Sequence, residues 1–193
     1  MMLKPIMWKP VILIGGTAGT GKSTLAQELC SRLKLDHRIG TGFIREIIKT
    51  QHAPEACQEL HRFTFRSEHP LDNLNAQAQR LRAAVLACIR RARDEGTSLV
   101  IEGNHLLPEL YRDADADMFV ILAAPGPEEH LRRLNGPSHL KRRTNSSDFA
   151  NVRRIDDYLR GEAERHRVRY SLYADNLSDF VAELGWRNGV AAT

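Results

Sequence analysis

The 193-residue sequence has no apolar run approaching the ~18 residues that a bilayer-spanning helix needs, so a membrane-embedded chain is not expected. The opening stretch MMLKPIMWKP has neither a continuous apolar core nor a small-residue cleavage site. It is not read as a signal peptide, and a cytoplasmic location is the expectation. Cysteine is scarce: Cys30, Cys57 and Cys88 are odd in number and far apart, with no Cys-x-x-Cys or Cys/His cluster. Neither a disulfide framework nor a zinc site is indicated, and the thiols are expected to be reduced and mostly buried. Aromatic residues make up 6% of the chain and are not interleaved with the basic ones, so no stacking path for nucleic-acid bases is visible. Repeats, low-complexity tracts and linkers are also lacking, which leaves a single domain as the simplest organisation.

What is present is ordinary for a globular chain, at 42% hydrophobic and 27% charged residues. The net charge of +4 is small, and the basic residues crowd between Arg132 and Arg169. That crowding favours a local phosphate-handling role over a general affinity for nucleic acid.

Apolar patterning alternates strand and helix. The run VILIG at residues 11–15 suits a strand buried on both faces of a parallel sheet. A helix is expected from about Lys22 to Lys34, a short strand at His37–Thr41, and the start of another helix at 43–49. Leu74, Ala78, Leu81, Val85, Cys88 and Ala92 form one stripe of a long helix from about Asn73 to Glu95, capped by Asp72 and ended by Gly96. Strands follow at Ser98–Ile101 and Met118–Ala123, then a basic helical region over 127–166. A last strand near Val168–Tyr173 leads to a C-terminal helix at about Ser178–Leu184. This order predicts an α/β fold, a parallel sheet of about five strands with helices on both faces.

Residues 15–24 read GGTAGTGKST, which satisfies the phosphate-binding loop (P-loop) pattern G-x-x-x-x-G-K-S/T between an apolar strand and an amphipathic helix. Glycines let successive backbone N–H groups face a phosphate, and the helix N-terminus adds partial positive charge. The predicted nucleotide cradle is Gly16, Thr17, Ala18, Gly19, Thr20, Gly21, Lys22, Ser23 and Thr24. Lys22 would reach the β- and γ-phosphates, and the Ser23 hydroxyl would ligate Mg²⁺. ATP and Mg²⁺ are therefore the expected ligands. Glu102 ends the apolar strand SLVIE, where it can hold Mg²⁺ or orient an acceptor hydroxyl. Arg45 can clasp an anionic acceptor group, with Glu46 beside it, and His105 either contacts the acceptor or packs its loop. The segment 59–69 containing His61 is expected to cover the acceptor, with Phe63 and Phe65 as core or cap residues. Trp8 and Trp186 are expected to pack near the termini.

Together, GGTAGTGKST, IGTGFIRE (39–46), VIEGNHLLP (100–108) and NVRRIDDYL (151–159) resemble 2-phosphoglycerate kinase and its relatives, which are P-loop kinases of the nucleoside-monophosphate-kinase type. The resemblance covers about residues 10–185. It implies transfer of the γ-phosphate of ATP to a small, anionic metabolite. It also implies a basic helical lid, roughly 127–166, whose arginines close on the phosphoryl group; Arg133 and Arg142 are the first candidates. One position departs from the family pattern. Its second strand usually ends in Thr-Asp, and here the pair is Thr41-Gly42. Two other functions stay open: a nucleotide or RNA-end kinase, and an ATP-binding regulatory module with weak catalysis. Nucleic acid is not an expected partner, and oligomeric state is not readable.

Overall fold

The computed structural model describes residues 9–111, 115–136, 145–172 and Phe180. Five strands form one sheet: β1 (Val11–Gly15), β2 (His37–Gly40), β3 (Leu99–Gly103), β4 (Met118–Ala123) and β5 (Arg169–Leu172). Their order is β2-β3-β1-β4-β5, and every pairing is parallel. β1 is central and wholly buried because every residue of VILIG meets protein on one side or the other. Ile12 and Ile14 pack with Leu25 and Leu29 on one face, while Val11 and Leu13 face Leu81 and Ile155 in the core on the other. The expected parallel α/β architecture is present.

Among the described residues five α-helices pack against the sheet or one another: α1 (Lys22–Leu33), α2 (Thr41–Lys49), α3 (Pro70–Glu95), α4 (Pro127–Leu134) and α5 (Ser146–Arg165). Three element ends differ from expectation. α2 begins at Thr41, so β2 stops at Gly40. α3 begins three residues before Asn73: Pro70 takes the first helical position, His69 is the cap, and Asp72 lies in the first turn. Proline's fixed φ suits that position, and it wins over the capping potential of Asp72. β3 runs to Gly103 and so includes Glu102. Gly96 ends α3 with φ 62°, as a left-handed cap requires.

The basic region resolves into two unlike helices. α5 gives Val152, Ile155, Leu159 and Ala163 to the core, so it is part of the body of the domain. Residues 137–144, which include Lys141, Arg142 and Arg143, lie outside the described residues. So do Trp8, Trp186 and the expected C-terminal helix, apart from the fully buried Phe180. No helix among the described residues is long and apolar enough to cross a membrane. The three cysteines are free thiols, with Cys57 buried and the other two half-buried.

Candidate active site

The β1–α1 turn has the backbone of a phosphate cradle. Gly16, Gly19 and Gly21 hold φ of 135°, 83° and 89°, values that side chains resist. A Cβ on Gly19 would also meet Leu134 and His130 at 2.9–3.2 Å. Gly21 caps α1, whose first turn has no side-chain cap and no acid, leaving its N–H groups for an anion. Thr20 Oγ1 and Lys22 Nζ both donate to the Thr17 carbonyl, at 2.9 and 2.5 Å. Parallel pairing sets Ile14 beside Glu102 and Gly15 beside Gly103. That register carries the Glu102 carboxylate to the start of α1, where Ser23 Oγ donates to Glu102 Oε1 at 2.9 Å.

A cleft of about 340 Å³ opens from the P-loop toward α2. Its walls include Thr17, Ala18, Lys22, Ser23, Glu102, Gly42, Arg45, Glu46, Phe63 and His105. Arg45 is mostly buried, and its Nη2 donates to Glu46 at 3.1 Å. Its buried Nε has no hydrogen-bond partner, and its guanidinium lies 5.9 Å from the Phe63 ring centre. Lys49 and then Arg45 hold Glu46 below its ordinary pKa. Phe63 is 42% exposed, while Phe65 stacks behind it at 5.9 Å and is buried. A Cβ on Gly42 would meet open space, and its φ is not in the left-handed range. Neither packing nor backbone geometry therefore demands glycine there.

Two buried histidines brace the cleft. Gln77 Nε2 donates to the carbonyls of Glu59 and Arg62, which leaves its Oε1 as acceptor. His105 must then donate from Nε2 to that oxygen at 2.9 Å, and its bare Nδ1 accepts from the Thr41 hydroxyl at 2.8 Å. Burial, then the charges of Arg45 and Lys22, push His105 down to about 3, so it is neutral at physiological pH. Thr64 also donates to Gln77, and Asn104 donates to Thr64, which ties the β3 loop to the turns at 58–66. Of the two sequence alternatives for His105, the structure supports the packing role. Behind the P-loop, His130 is fully buried, and Nε2 bonds the Ala18 carbonyl at 2.7 Å. Its Nδ1 lies 3.3 Å from Arg153, which bridges to Asp156. Asp156 in turn accepts from the Ala124 N–H at the end of β4.

Lys22, Ser23, Glu102 and Arg45 thus come together around one cleft. Arg133 does not join them: it pairs with Glu129 on its own helix and is absent from the cleft wall. Arg142 lies outside the described residues. Thr24 follows Ser23 on the exposed side of α1, and His61 faces Cys57 Sγ at 3.6 Å and is not part of the wall. Gln77, Thr64, Asn104, His130 and Asp156 went unread in the sequence. For His130 and Asp156 a signal existed, a polar residue on an apolar helical stripe: His130 with Leu134, and Asp156 beside Val152, Ile155 and Leu159.

Comparison with known proteins agrees with this geometry. The chain is 33% identical over 172 residues to 2-phosphoglycerate kinase of Pyrococcus furiosus, covering 82% of this chain and 57% of that one. It is 28% identical over 170 residues to the Thermococcus kodakarensis enzyme of the same name, covering 81% and 59%. The chain therefore spans less than two thirds of the length of these curated relatives. Among solved structures, shikimate kinase from Acinetobacter baumannii in complex with shikimate shares the fold, with a TM-score of 0.56 at 14% identity, covering 93% of this chain and 94% of that one. Shikimate kinase from Aquifex aeolicus matches at a TM-score of 0.54 and 11% identity, covering 94% and 99%. The fold is thus that of the P-loop kinases, and the resemblance to 2-phosphoglycerate kinase read from the sequence holds. The sequence pattern of the AAA domain family matches residues 12–154, most of the chain, and the chain belongs to that family.

Proposed function

We propose that this chain is an ATP-dependent phosphotransferase that moves the γ-phosphoryl group to a small anionic metabolite of the 2-phosphoglycerate kind. One observation carries the reading: Ser23 and Glu102 meet at 2.9 Å between the P-loop and a cleft that opens on Arg45. A hydroxyl and a carboxylate side by side are hard oxygen donors, and they would hold Mg²⁺ there. Held there, the ion would offset charge on the β- and γ-phosphates. Lys22 exchanges the Thr17 carbonyl for a phosphate oxygen. The acceptor oxygen forms the new P–O bond as the bond to the β-phosphate breaks, and the acceptor proton leaves to solvent. Such a loose transition state asks more of positioning and charge than of a base. Arg45 and the uncapped start of α2 suit an anionic group on the acceptor. A contribution from Arg133 or Arg142 on closure is part of the proposal and rests on the basic composition of Arg132–Arg154.

Gly42 sharpens the choice of acceptor. In the family pattern an aspartate stands here, and in this chain the space is open. We infer that the acceptor's body fills it and that the preferred substrate is not 2-phosphoglycerate itself. Phe63, exposed to the cleft beneath Arg45 and Arg66, favours a second reading in which the acceptor carries a base, as a mononucleotide does. One screen of ATP consumption decides, run against phosphorylated acids, sugars, nucleoside monophosphates and 5′-hydroxyl RNA. Turnover with a phosphorylated acid other than 2-phosphoglycerate is the expected result. A kcat/KM of ~10⁴ M⁻¹s⁻¹ or more on 2-phosphoglycerate would overturn the Gly42 inference. ATP binding with no turnover on any acceptor would favour the regulatory reading. Gly42→Asp should fold, because a Cβ meets nothing there and an acid in the first turn suits the helix dipole.

A further inference from the structure

Away from the cleft, three metal-ligating side chains converge where the turn after β3 packs against the end of α5. Glu109 lies in the 3₁₀ turn Pro108–Leu110. Glu162 and His166 sit one helical turn apart at the end of α5, so they share a face. One ligand atom from each of the three lies within 4.8 Å of the other two. The Glu162 side chain is only 4% exposed. Its Oε1 accepts from Arg165, which fixes the rotation of the carboxylate. Its Oε2, turned toward the cluster, is buried, with the Glu109 carboxyl and His166 Nε2, the latter at 3.3 Å, as its polar neighbours. Two carboxyl groups brought together at a buried position repel unless a proton or a cation lies between them. Glu109 adds a second carboxylate beside it, and the Tyr158 hydroxyl backs Glu109 Oε2 at 3.4 Å.

We propose that Glu109, Glu162 and His166 form a binding site for a divalent transition-metal ion of the Zn²⁺ class, separate from the site of phosphate transfer. The donor set makes the selection. One imidazole with two carboxylates suits Zn²⁺ and its neighbours, whereas Mg²⁺ and Ca²⁺ favour all-oxygen surroundings. Two adjacent carboxyl groups, one of them buried, gain a cation between them, with the His166 imidazole as third donor. Glu109 and His166 are exposed, which leaves the ion a way in and an open position for water. Glu109 belongs to the turn that follows β3, and the other two belong to α5. The ion therefore acts as a clasp between two segments that are far apart in sequence, and its role is structural.

The test is titration of the full chain, free of nucleotide, with Zn²⁺ alone and with Mg²⁺ alone. The expected result is one equivalent of Zn²⁺ bound and an unfolding midpoint raised by roughly 5 °C at a hundredfold excess over Kd, with no such response to Mg²⁺. Replacing a ligand should weaken Zn²⁺ binding at least ~10-fold in both His166→Ala and Glu109→Gln, which change exposed side chains and should fold. Co²⁺ in place of Zn²⁺ should give visible absorption bands that His166→Ala removes. Failure to bind Zn²⁺ at micromolar concentrations overturns the proposal, and the two carboxyl groups then share a proton. Equal affinity in wild type and both variants also overturns it, since the ion then sits on other histidines or thiols.

Discussion

The phosphate side of the cleft comes from one continuous stretch, Gly16–Ser23, joined by a single distant residue, Glu102. The other side, proposed to take the acceptor, is gathered from α2, the turns at 58–66 and the loop after β3. The two sides are also held differently. The P-loop is shaped by glycine backbone geometry and clamped from behind by His130. The proposed acceptor side rests on a largely buried chain of side-chain hydrogen bonds running through Thr41, His105, Gln77, Thr64 and Asn104. Recognition of triphosphate needs mainly backbone N–H groups and one cation, so it can be written locally. Recognition of a particular acceptor needs side chains at defined distances, and only the tertiary fold supplies those. The comparison teaches that the nucleotide half of such a site is fixed by the motif, while the acceptor half is free to change.

Substitutions on the two sides should therefore fail in different ways. The largest effect is expected for Lys22→Ala, a fall in kcat of ~10³-fold with weaker Mg-ATP binding, because one charge against the transferring group is lost. Unchanged ATP affinity by calorimetry together with unchanged turnover would break the assignment of this side to nucleotide. Next comes Glu102→Gln, with a loss of at least ~100-fold in kcat while the fold is retained by circular dichroism. A folded variant with near-normal kcat would reduce the Ser23–Glu102 contact to a structural one. Arg45→Ala should act on the other side. We expect KM for the acceptor to rise about 10- to 100-fold while KM for ATP stays within about twofold, consistent with a charge-assisted contact to the acceptor's anionic group. Equal changes in both KM values would mean that the two halves are not separable.

The same division explains what the sequence makes legible. VILIG reads as a central strand because every position must be apolar when both faces are covered. Glu102 stands out because an acid ends an otherwise apolar strand. Arg45 is picked out by the resemblance that IGTGFIRE carries, beside the departure at Gly42. By contrast, Gln77 lies 28 residues from its partner His105, and Asn104 lies 40 residues from Thr64. No local pattern announces such pairs, since a buried glutamine in a long helix looks like any surface glutamine until its partners are known. His130 and Asp156 were detectable in principle as polar residues on apolar stripes, which are burials that demand a partner. The start of α3 differs from the sequence pattern because a proline at the first helical position outweighs an aspartate two residues later.

The remaining expected effect concerns the bracing network and is one of stability, not of turnover. In the fold His105 stays neutral down to about pH 3, because burial and the charges of Arg45 and Lys22 oppose its protonation. In the unfolded chain a histidine takes up a proton near pH 6.5. Between these values the unfolded state binds more protons, so stability is lost as pH falls below about 6.5, by up to ~1.4 kcal/mol per pH unit. His130, also held down chiefly by burial, acts in the same direction. Asp156 opposes them. Burial raises it to about 6, so the folded state binds its proton first, and this group favours folding as pH falls from about 6 toward 4. The net curve of the wild type therefore mixes signs, and the informative quantity is a difference between two proteins. We expect His105→Gln, which keeps a donor toward Gln77, to be less stable than wild type at pH 7.5. The gap should narrow by about 2–3 kcal/mol by pH 5 or just below, as measured by urea unfolding at each pH. A gap that does not change with pH would mean that His105 titrates normally in the fold. The rigid, neutral brace behind Thr41 and the start of α2 would then have to be abandoned.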